Sequence, residues 1–561
     1  VYTLSLHDAL PISNNEHYNK QRAVHKASYP YTAPGLSNHG GAGQFGTGVE
    51  IEQVERVKDQ FINSQIFNET QTSGYWDEMT RGMEKVEHIL NEPSDSGIDT
   101  AVNEFWNSLQ DLSNDPNDTS ARNMVRESAR NMIDTFQSVD NQLLDYKKSI
   151  DENLNNAKDN INNITQKMAD LNKQIVSVKG SGQNPNDLID QRDGLYKDLN
   201  ELINVQSRKD DQGNLIVSTD GMQLVNGSDS YKLEVESGEA GEFNSTLKHS
   251  KTGTVLEPDN GQVGAWMDMR DEKLDFYRGK LDTLAAEMVN EFNTRHKNGY
   301  DAEGSKGGNF FEDNIDVNKD LKDREQSAVQ LMSLSSEIDK ESGLSKIAAG
   351  SYSGDPSVVE IDKTIGDTAP DSNKNYTVDV VEKGNQFEVT VSDLSGENVL
   401  AEGTVDKGET VSFDLDDVSF DSDDNVDTQA PLDPPGDGDF NLTPKESGST
   451  EIGLSNSSGS GDNAGFLADL FDDSEVMDGT SVKGYFRSIV STAGAETQRA
   501  SEMNNNQDQV LKQLNTLDRS ISGVSLDEEM ANLIKYQQSY NAAAKYITKT
   551  DELLQTLMSI V

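Results

Sequence analysis

The sequence predicts an α+β fold: an elongated, multi-domain chain whose two ends contribute long helices to a bundle or coiled coil, with a β-rich outer region protruding between them. Three patterns carry this expectation. Apolar residues recur in alternating steps of four and three in both the first and the last third of the chain, as in a helical seam. Two internal stretches, residues 205–261 and 350–460, alternate apolar and polar residues between glycine-containing turns, as in short strands. Hydrophobic residues make up only 33% of the 561 residues and mean hydropathy is -0.71, which suits thin, extended layers better than one large core.

Taken in order, residues 1–13 (VYTLSLHDALPIS) hold a short apolar stretch without a basic segment ahead of it, so a secretion signal is not expected there. They resemble translated sequencing-adaptor read-through and are expected to be artefactual. Residues 14–48 read as loop, ending in the glycine-rich NHGGAGQFGTG. A strand-like start at VEIEQVER passes into a helix with Val54, Val57, Phe61 and Ile62, and a second helical stretch carries Met79, Met83, Val86 and Leu90 before NEPSDSG breaks it. The longest helix is expected between Ser120 and Lys179, about 90 Å at 1.5 Å per residue. Its stripe runs Val125, Ala129, Met132, Phe136, Val139, Leu143, Tyr146, Ile150, then Ile161, Ile164, Met168, Leu171, Ile175, Val178, with a slip of phase near Asn153 to Asn160. NDLIDQRDGLYKDLNELI makes a shorter helix, hairpins fill 205–258, and a further helix spans about Gly264 to His296. The final ninety or so residues are again helical.

The last helix is the most regular. Its stripe reads Leu526, Met530, Leu533, Gln537, Tyr540, Ala544, Ile547, Asp551, Leu554, Met558, Val561, and Ser525 with Glu528 forms a capping-box pattern at its start. Such a seam needs a helix to lie against, from far upstream or from another chain, and contacts that include neighbouring chains are expected. For the Val125–Val178 stripe, packing inside the chain and packing between chains are equally compatible with the pattern.

With 48 basic and 99 acidic side chains the net charge is -51, which excludes nucleic acid and anionic membrane surfaces as ordinary partners. There is no cysteine, hence no disulfide and no thiol nucleophile. No apolar run approaches the roughly 20 residues of a membrane span. No catalytic, metal or cofactor site is expected. DSDDNVDTQAPL lacks the glycine and glutamate of a calcium loop, and His17, His25 and His39 lack the spacing of zinc ligands. Asp190 and Asp193 flank Arg192 on a helix, where a surface ion pair is the ordinary outcome.

The tail SGVSLDEEMANLIKYQQSYNAAAKYITKTDELLQTLMSIV closely resembles the C-terminal signature of flagellar axial proteins, with Ser522, Gly523, Val524, Leu526, Asp527, Glu528, Glu529, Asn532, Leu533, Gln537, Gln538, Tyr540, Ala542, Ala543, Ala544 and Leu557 at matching places. GTGVEIEQVERVKDQFINSQ, DLIDQRDGLYKDLNELI (with Asp190, Gln191, Arg192 and Asp193) and LDTLAAEMVNEFNTRHKNGYDAEGSKGGNFF narrow the resemblance to the hook-associated protein 1 family. NNEHYNKQRAV resembles a family turn, Tyr18 and Gln21 matching and His17 standing in place of glycine.

The resemblance implies a structural adaptor between hook and filament, built from many copies of itself and meeting the hook protein on one face and the next hook-associated protein on the other. It implies export through the flagellar type III channel and a cytoplasmic export chaperone bound at the C-terminal helix. It also implies layers: 14–44 with 520–561 as an inner coiled coil, 45–204 with 262–349 and 461–519 as a helical middle layer, 205–261 as a hairpin region and 350–460 as an outer β domain. The family's opening helix is expected to be absent from the chain as given, which would then not assemble into a junction. Two alternatives stand beside this reading: another axial protein (the next junction protein or a flagellin), or a secreted β-domain enzyme or glycan-binding protein on a helical stalk.

Overall fold

The Asp59 carboxylate accepts the backbone N–H groups of Phe61 (2.9 Å) and Ile62 (3.2 Å), capping the first long helix, α1 (Gln60–Leu90). The computed structural model describes residues 19–28, 49–90 and 97–350 (without 239–242, 304, 317–320 and 322–325), the strand segments within 351–460, and 461–560 without 474–475, 478 and 524–525. The Tyr18, Ser525 and Val561 assignments, the Leu526 and Glu528 side chains and most of the acidic calcium-loop candidate lie outside the described residues. The described parts of Val1–Lys85, Asp145–Leu274 and Ala495–Val561 form one compact unit, and those of Val86–Leu144 and Asp275–Gly494 a second. The class is mixed helix and sheet, as expected.

In the first unit a hairpin, β1 (Gln21–Ala27) against β2 (Val49–Arg56), is antiparallel with a bulge at Val24/His25. Over Gln21–Ala27 this corrects the loop expected there. β1 is mostly polar, and its pairing partner is distant in sequence, so neither alternation nor an adjacent turn signal marks it. α1 is likewise one helix of 31 residues, not two stretches. Gly74 does not stop it; a Cβ there would collide with the carbonyl oxygen of Glu201, so the glycine serves a close helix–helix approach.

The 62-residue helix α3 (Thr119–Gly180) contributes to both units. Its expected stripe is buried in each: Val125, Met132, Phe136 and Leu143 in the second, Ile150, Ile161, Met168 and Ile175 in the first. Leu154 and Ala157 are buried as well, so the slip of phase is a pair of four-residue steps at Tyr146, Ile150 and Leu154. The stripe is therefore satisfied inside the chain. α4 (Asn186–Leu202) adds Tyr196 and Leu199 to the same core.

The hairpin region divides into β3 (Gln206–Lys209), β4 (Leu215–Thr219), β5 (Met222–Asn226) and β6 (Asp229–Ser230) in one sheet, and β7 (Leu233–Glu236), β8 (Thr246–His249) and β9 (Val255–Leu256) in another. Two asparagines of α3 hold these strands through their backbones. The Asn162 amide donates to the Leu233 carbonyl (2.9 Å) and accepts from its N–H (2.8 Å). Asn172 donates to the Leu215 and Gly227 carbonyls (2.9 Å each) and accepts from Leu215 N–H at 3.1 Å. The helix expected over 264–296 is interrupted: α5 (Gly261–Asp268) leads through a π turn, Met269–Leu274, into α6 (Asp275–Asn298). Buried Arg270 in that turn donates to Asp151 Oδ1 (2.9 Å) and the Ser245 carbonyl (2.7 Å), partners that no local periodicity reveals.

In the second unit α2 (Ile98–Asn114) was not anticipated, although Ile98, Ala101, Val102, Phe105, Leu109 and Leu112 line one buried face. Phe105 meets Phe292 of α6 at 5.3 Å between ring centroids, and Phe310 meets Phe311 at 4.9 Å. The last turns of α6 clamp the following loop. Asn293 Oδ1 accepts the N–H groups of Phe310 and Phe311 (2.9 Å each). His296 Nε2 accepts from Ala348 N–H (2.9 Å), so Nδ1 carries the proton it donates to the Gly308 carbonyl at 2.7 Å.

Strands fill 350–460 as expected: β10 (Val359–Asp362), β11 (Asn375–Lys383), β12 (Gln386–Asp393), β13 (Val399–Asp406), β14 (Val411–Phe413), β15 (Ser419–Phe420), β16 (Val426–Thr428), β17 (Phe440–Pro444) and β18 (Gly448–Gly453). The main sheet runs β13-β12-β11-β18, with Val378 opposite Val391 and Val380 opposite Val389 on its buried face. Helices α7 (Asp462–Asp469), α8 (Val482–Ser522) and α9 (Leu526–Ile560) follow.

Burial, reinforced by the charge of Arg122, lowers the His296 imidazole from 6.5 to about 4. The unfolded chain then binds a proton near pH 6.5 that the folded site refuses until about pH 4, so this histidine's contribution to stability is complete above 6.5 and declines toward 4. The expected loss is about 3 kcal/mol. In urea titrations at pH 7 and pH 4.5, His296→Gln should be less stable at pH 7 and lose less between the two; identical losses would contradict the assignment.

Candidate assembly interface

α9 carries the expected seam on a helix of 35 residues. Exposure decides its status. Met530, Leu533, Tyr540, Ile547, Leu554 and Met558 are between 41% and 79% exposed, and Ala544, Gln537 and Gln538 are exposed with them. The hydrogen bonds described for α9 stay within it, as in Thr548 to the Ala544 carbonyl and Lys549 to Glu552. Among the described residues nothing covers the stripe. Burying six such side chains would contribute on the order of 10 kcal/mol, at about 1.5–3 kcal/mol each, whereas an unpacked helix in water is only marginally stable.

The Asp190–Asp193 stretch of α4 is a second constellation, and it corrects the surface ion pair expected there. Asp190 and Arg192 are buried, and they face different ways because two residues along a helix turn through about 200°. Asp190 Oδ1 accepts from Arg56 Nη1 and from Asn19 Nδ2, both at 2.6 Å. Asp193, one turn on, accepts from Lys58 Nζ (2.8 Å) and Arg56 Nη1 (3.2 Å). Arg192 instead donates to Asn172 Oδ1 (2.9 Å) and the Gly213 carbonyl (3.2 Å), tying α4 to the asparagine that holds the strands.

Gln21 joins the latch by donating to Asp187 Oδ1 (3.1 Å) and accepting from Asn186 (3.2 Å). Gln191 stays outside, on an open groove with Leu171 and Leu195. Burial works to raise the Asp193 carboxyl, but the charges of Lys58 and Arg56 outweigh it and hold it below the usual range. Burial lowers the Arg192 guanidinium against the opposing field of Asp193. The latch thus fastens the β1–β2 hairpin to α4.

Comparison with known proteins bears on both features. The family model described as the flagellar hook-associated protein FlgK helical domain matches residues 83–311, and the flagellar basal body rod FlgEFG protein C-terminal model matches 520–560, the α9 region. The flagellar hook-associated protein 1 of Escherichia coli (strain K12) is 28% identical over 539 residues, covering 93% of this chain and 92% of that protein. That of Bacillus subtilis (strain 168) is 27% identical over 579 residues, covering 98% and 92%. The chain is thus similar to hook-associated protein 1 over nearly its whole length.

The flagellar hook junction protein FlgK from Burkholderia pseudomallei shares the fold of this chain, with a TM-score of 0.55, 17% identity, and coverage of 82% of this chain and 100% of that one. In this chain, Gln21, Asp190, Arg192 and Asp193 come together in the unit that also holds α9, whereas Gln537 and Gln538 lie on the exposed helix. Sequence reasoning missed Asn19, Arg56, Lys58 and Asn172. Arg56 and Lys58 lie inside the quoted GTGVEIEQVERVKDQFINSQ stretch, and two cations beyond a strand, facing a DxxD helix, are the signal that could have found them.

Asp190→Ala should leave the half-buried Arg56 guanidinium with Asp193 as its remaining carboxylate, weaken the latch, and release the hairpin first. Amide hydrogen exchange at Gln21–Ala27 should accelerate at least about a hundredfold while exchange along α6 is unchanged. In the unsubstituted chain the Asp193 contribution is present at neutral pH and is lost as pH falls through its depressed pKa, so hairpin protection should fade in acid.

Proposed function

We propose that this protein is a structural subunit at the junction between hook and filament of the bacterial flagellum, an extracellular appendage, and that α9 is the element through which copies join. Similarity to hook-associated protein 1 over nearly the whole chain supports a flagellar component. The observation that supports the role of α9 is its uncovered heptad stripe on a helix whose sequence matches the C-terminal model shared with rod and hook proteins. A seam of this kind is completed by helices of neighbouring copies, and its ordering entropy is recovered from those contacts.

The finer reading follows the family. Residues 14–44 with 520–561 form the inner layer, 350–460 the outer domain, and the hook protein and the next hook-associated protein meet the two axial faces. The same α9 stripe is a surface for a cytoplasmic export chaperone before passage through the type III channel, since an apolar stripe left open in the cytoplasm invites aggregation.

The net charge of -51 sets the conditions of assembly. Copies packed within a Debye length, ~10 Å at 0.1 M salt, repel one another, so self-association should strengthen as salt rises. Sedimentation of the full chain across a salt series should show this. Tyr540→Asp with Ile547→Asp should weaken association at least about tenfold per ~1.4 kcal/mol of lost burial while leaving the cores intact. Association that weakens as salt rises, or is indifferent to both substitutions, would refute the proposal.

A further inference from the structure

The outer half of α8 carries a second stripe that neither the heptad seam of α9 nor the latch uses. Met503, Val510 and Leu517 recur every seven residues, Ile521 follows one turn later, and all four are between 37% and 48% exposed. At ~100° per residue they lie within about 40° of one another. The side of α8 that meets α1 lies next to this stripe, turned from it by about 40–100°. That side holds buried Ala500, with Gln507 donating to the Glu69 carbonyl (3.0 Å) and Asp518 accepting from Asn63 (3.5 Å).

Charge is distributed unevenly around the same helix. Asp508, Lys512 and Arg519 fall together on the far edge, where Lys512 pairs with Asp508 at 2.5 Å. On the edge away from α1, the positions bordering the apolar stripe from Met503 onward are Asn506, Gln509, Gln513, Thr516 and Ser520, all exposed and all uncharged. In a chain of which 26% is charged, this flank is an uncharged strip with an apolar centre.

We infer that this flank of α8 is a lateral contact with a second copy of this chain, distinct from the α9 seam. The inference rests on the assembly reading above and adds a second surface to it. Two copies each carrying -51 meet at least cost where neither presents charge. Depletion of charge around an apolar core also distinguishes interfaces from the remaining surface. A partner of opposite net charge would be recognised by acidic side chains, which this strip lacks, and the seven-residue recurrence fits helical packing.

The test uses the full chain at high salt, with sedimentation for association and circular dichroism for folding. Val510→Asp with Leu517→Asp should weaken association at least about tenfold, and Val510→Gln with Leu517→Gln, which keeps the helix and adds no charge, should weaken it by less. Lys512→Glu shifts net charge by the same amount as the paired Asp substitutions but on the opposite edge, and should match the unsubstituted chain. If the α8 variants associate normally while Tyr540→Asp with Ile547→Asp does not, this inference falls and the role of α9 stands. If Lys512→Glu is as damaging as the Asp pair, net charge accounts for the effect and the lateral contact is likewise overturned.

Discussion

The inner stripe of α3 is the constraint on which the rest of the structure depends. Its buried residues, from Val125 to Ile175, supply the side chains around which both compact units build their cores. A stripe kept in register over so many turns leaves little freedom for what packs against it. The four-residue steps at Ile150 and Leu154 absorb the drift between the helix period and the seven-residue repeat. Asn162 and Asn172, on the same helix, then turn a hydrophobic surface into a hydrogen-bonded one, because each amide offers the donor and acceptor of a missing strand neighbour.

Polar residues inside this protein repeatedly fasten one segment to another. Arg192 links α4 to Asn172, Arg56 links the β1–β2 hairpin to Asp190 and Asp193, Arg270 links the π turn to α3, and His296 links α6 to the loop after it. Each is buried or nearly so, where an unmet hydrogen-bonding group is costly and a met one is specific. In a chain with only 33% hydrophobic residues, such pairs define register where apolar packing is thin.

The outer surface follows a different logic. The net charge of -51 opposes close approach of like-charged copies, and in the proposed role of α9 its uncovered stripe is buried only when another helix is supplied. A subunit that must stay separate before assembly and adhere firmly afterwards benefits from both properties.

The sequence by itself determined the periodic features: the span of α3, the strands of 205–261 and 350–460, the stripe of α9, and the resemblance carried by the tail and the DLIDQRDGLYKDLNELI helix. Each is a local pattern, written in the spacing of apolar residues along one element. Other features became visible only in the tertiary structure. α1 reads as two stretches until Gly74 is seen against Glu201, β1 reads as loop until β2 pairs with it, and Asp190, Arg192 and Asp193 read as surface charge until Arg56, Lys58 and Asn172 are in place. The reason is physical: periodicity reports which face of an element is apolar, whereas the partner of a buried charge or a close-packed glycine is set by how separate elements fold together, at separations from 20 to more than a hundred residues, and leaves no spacing to read.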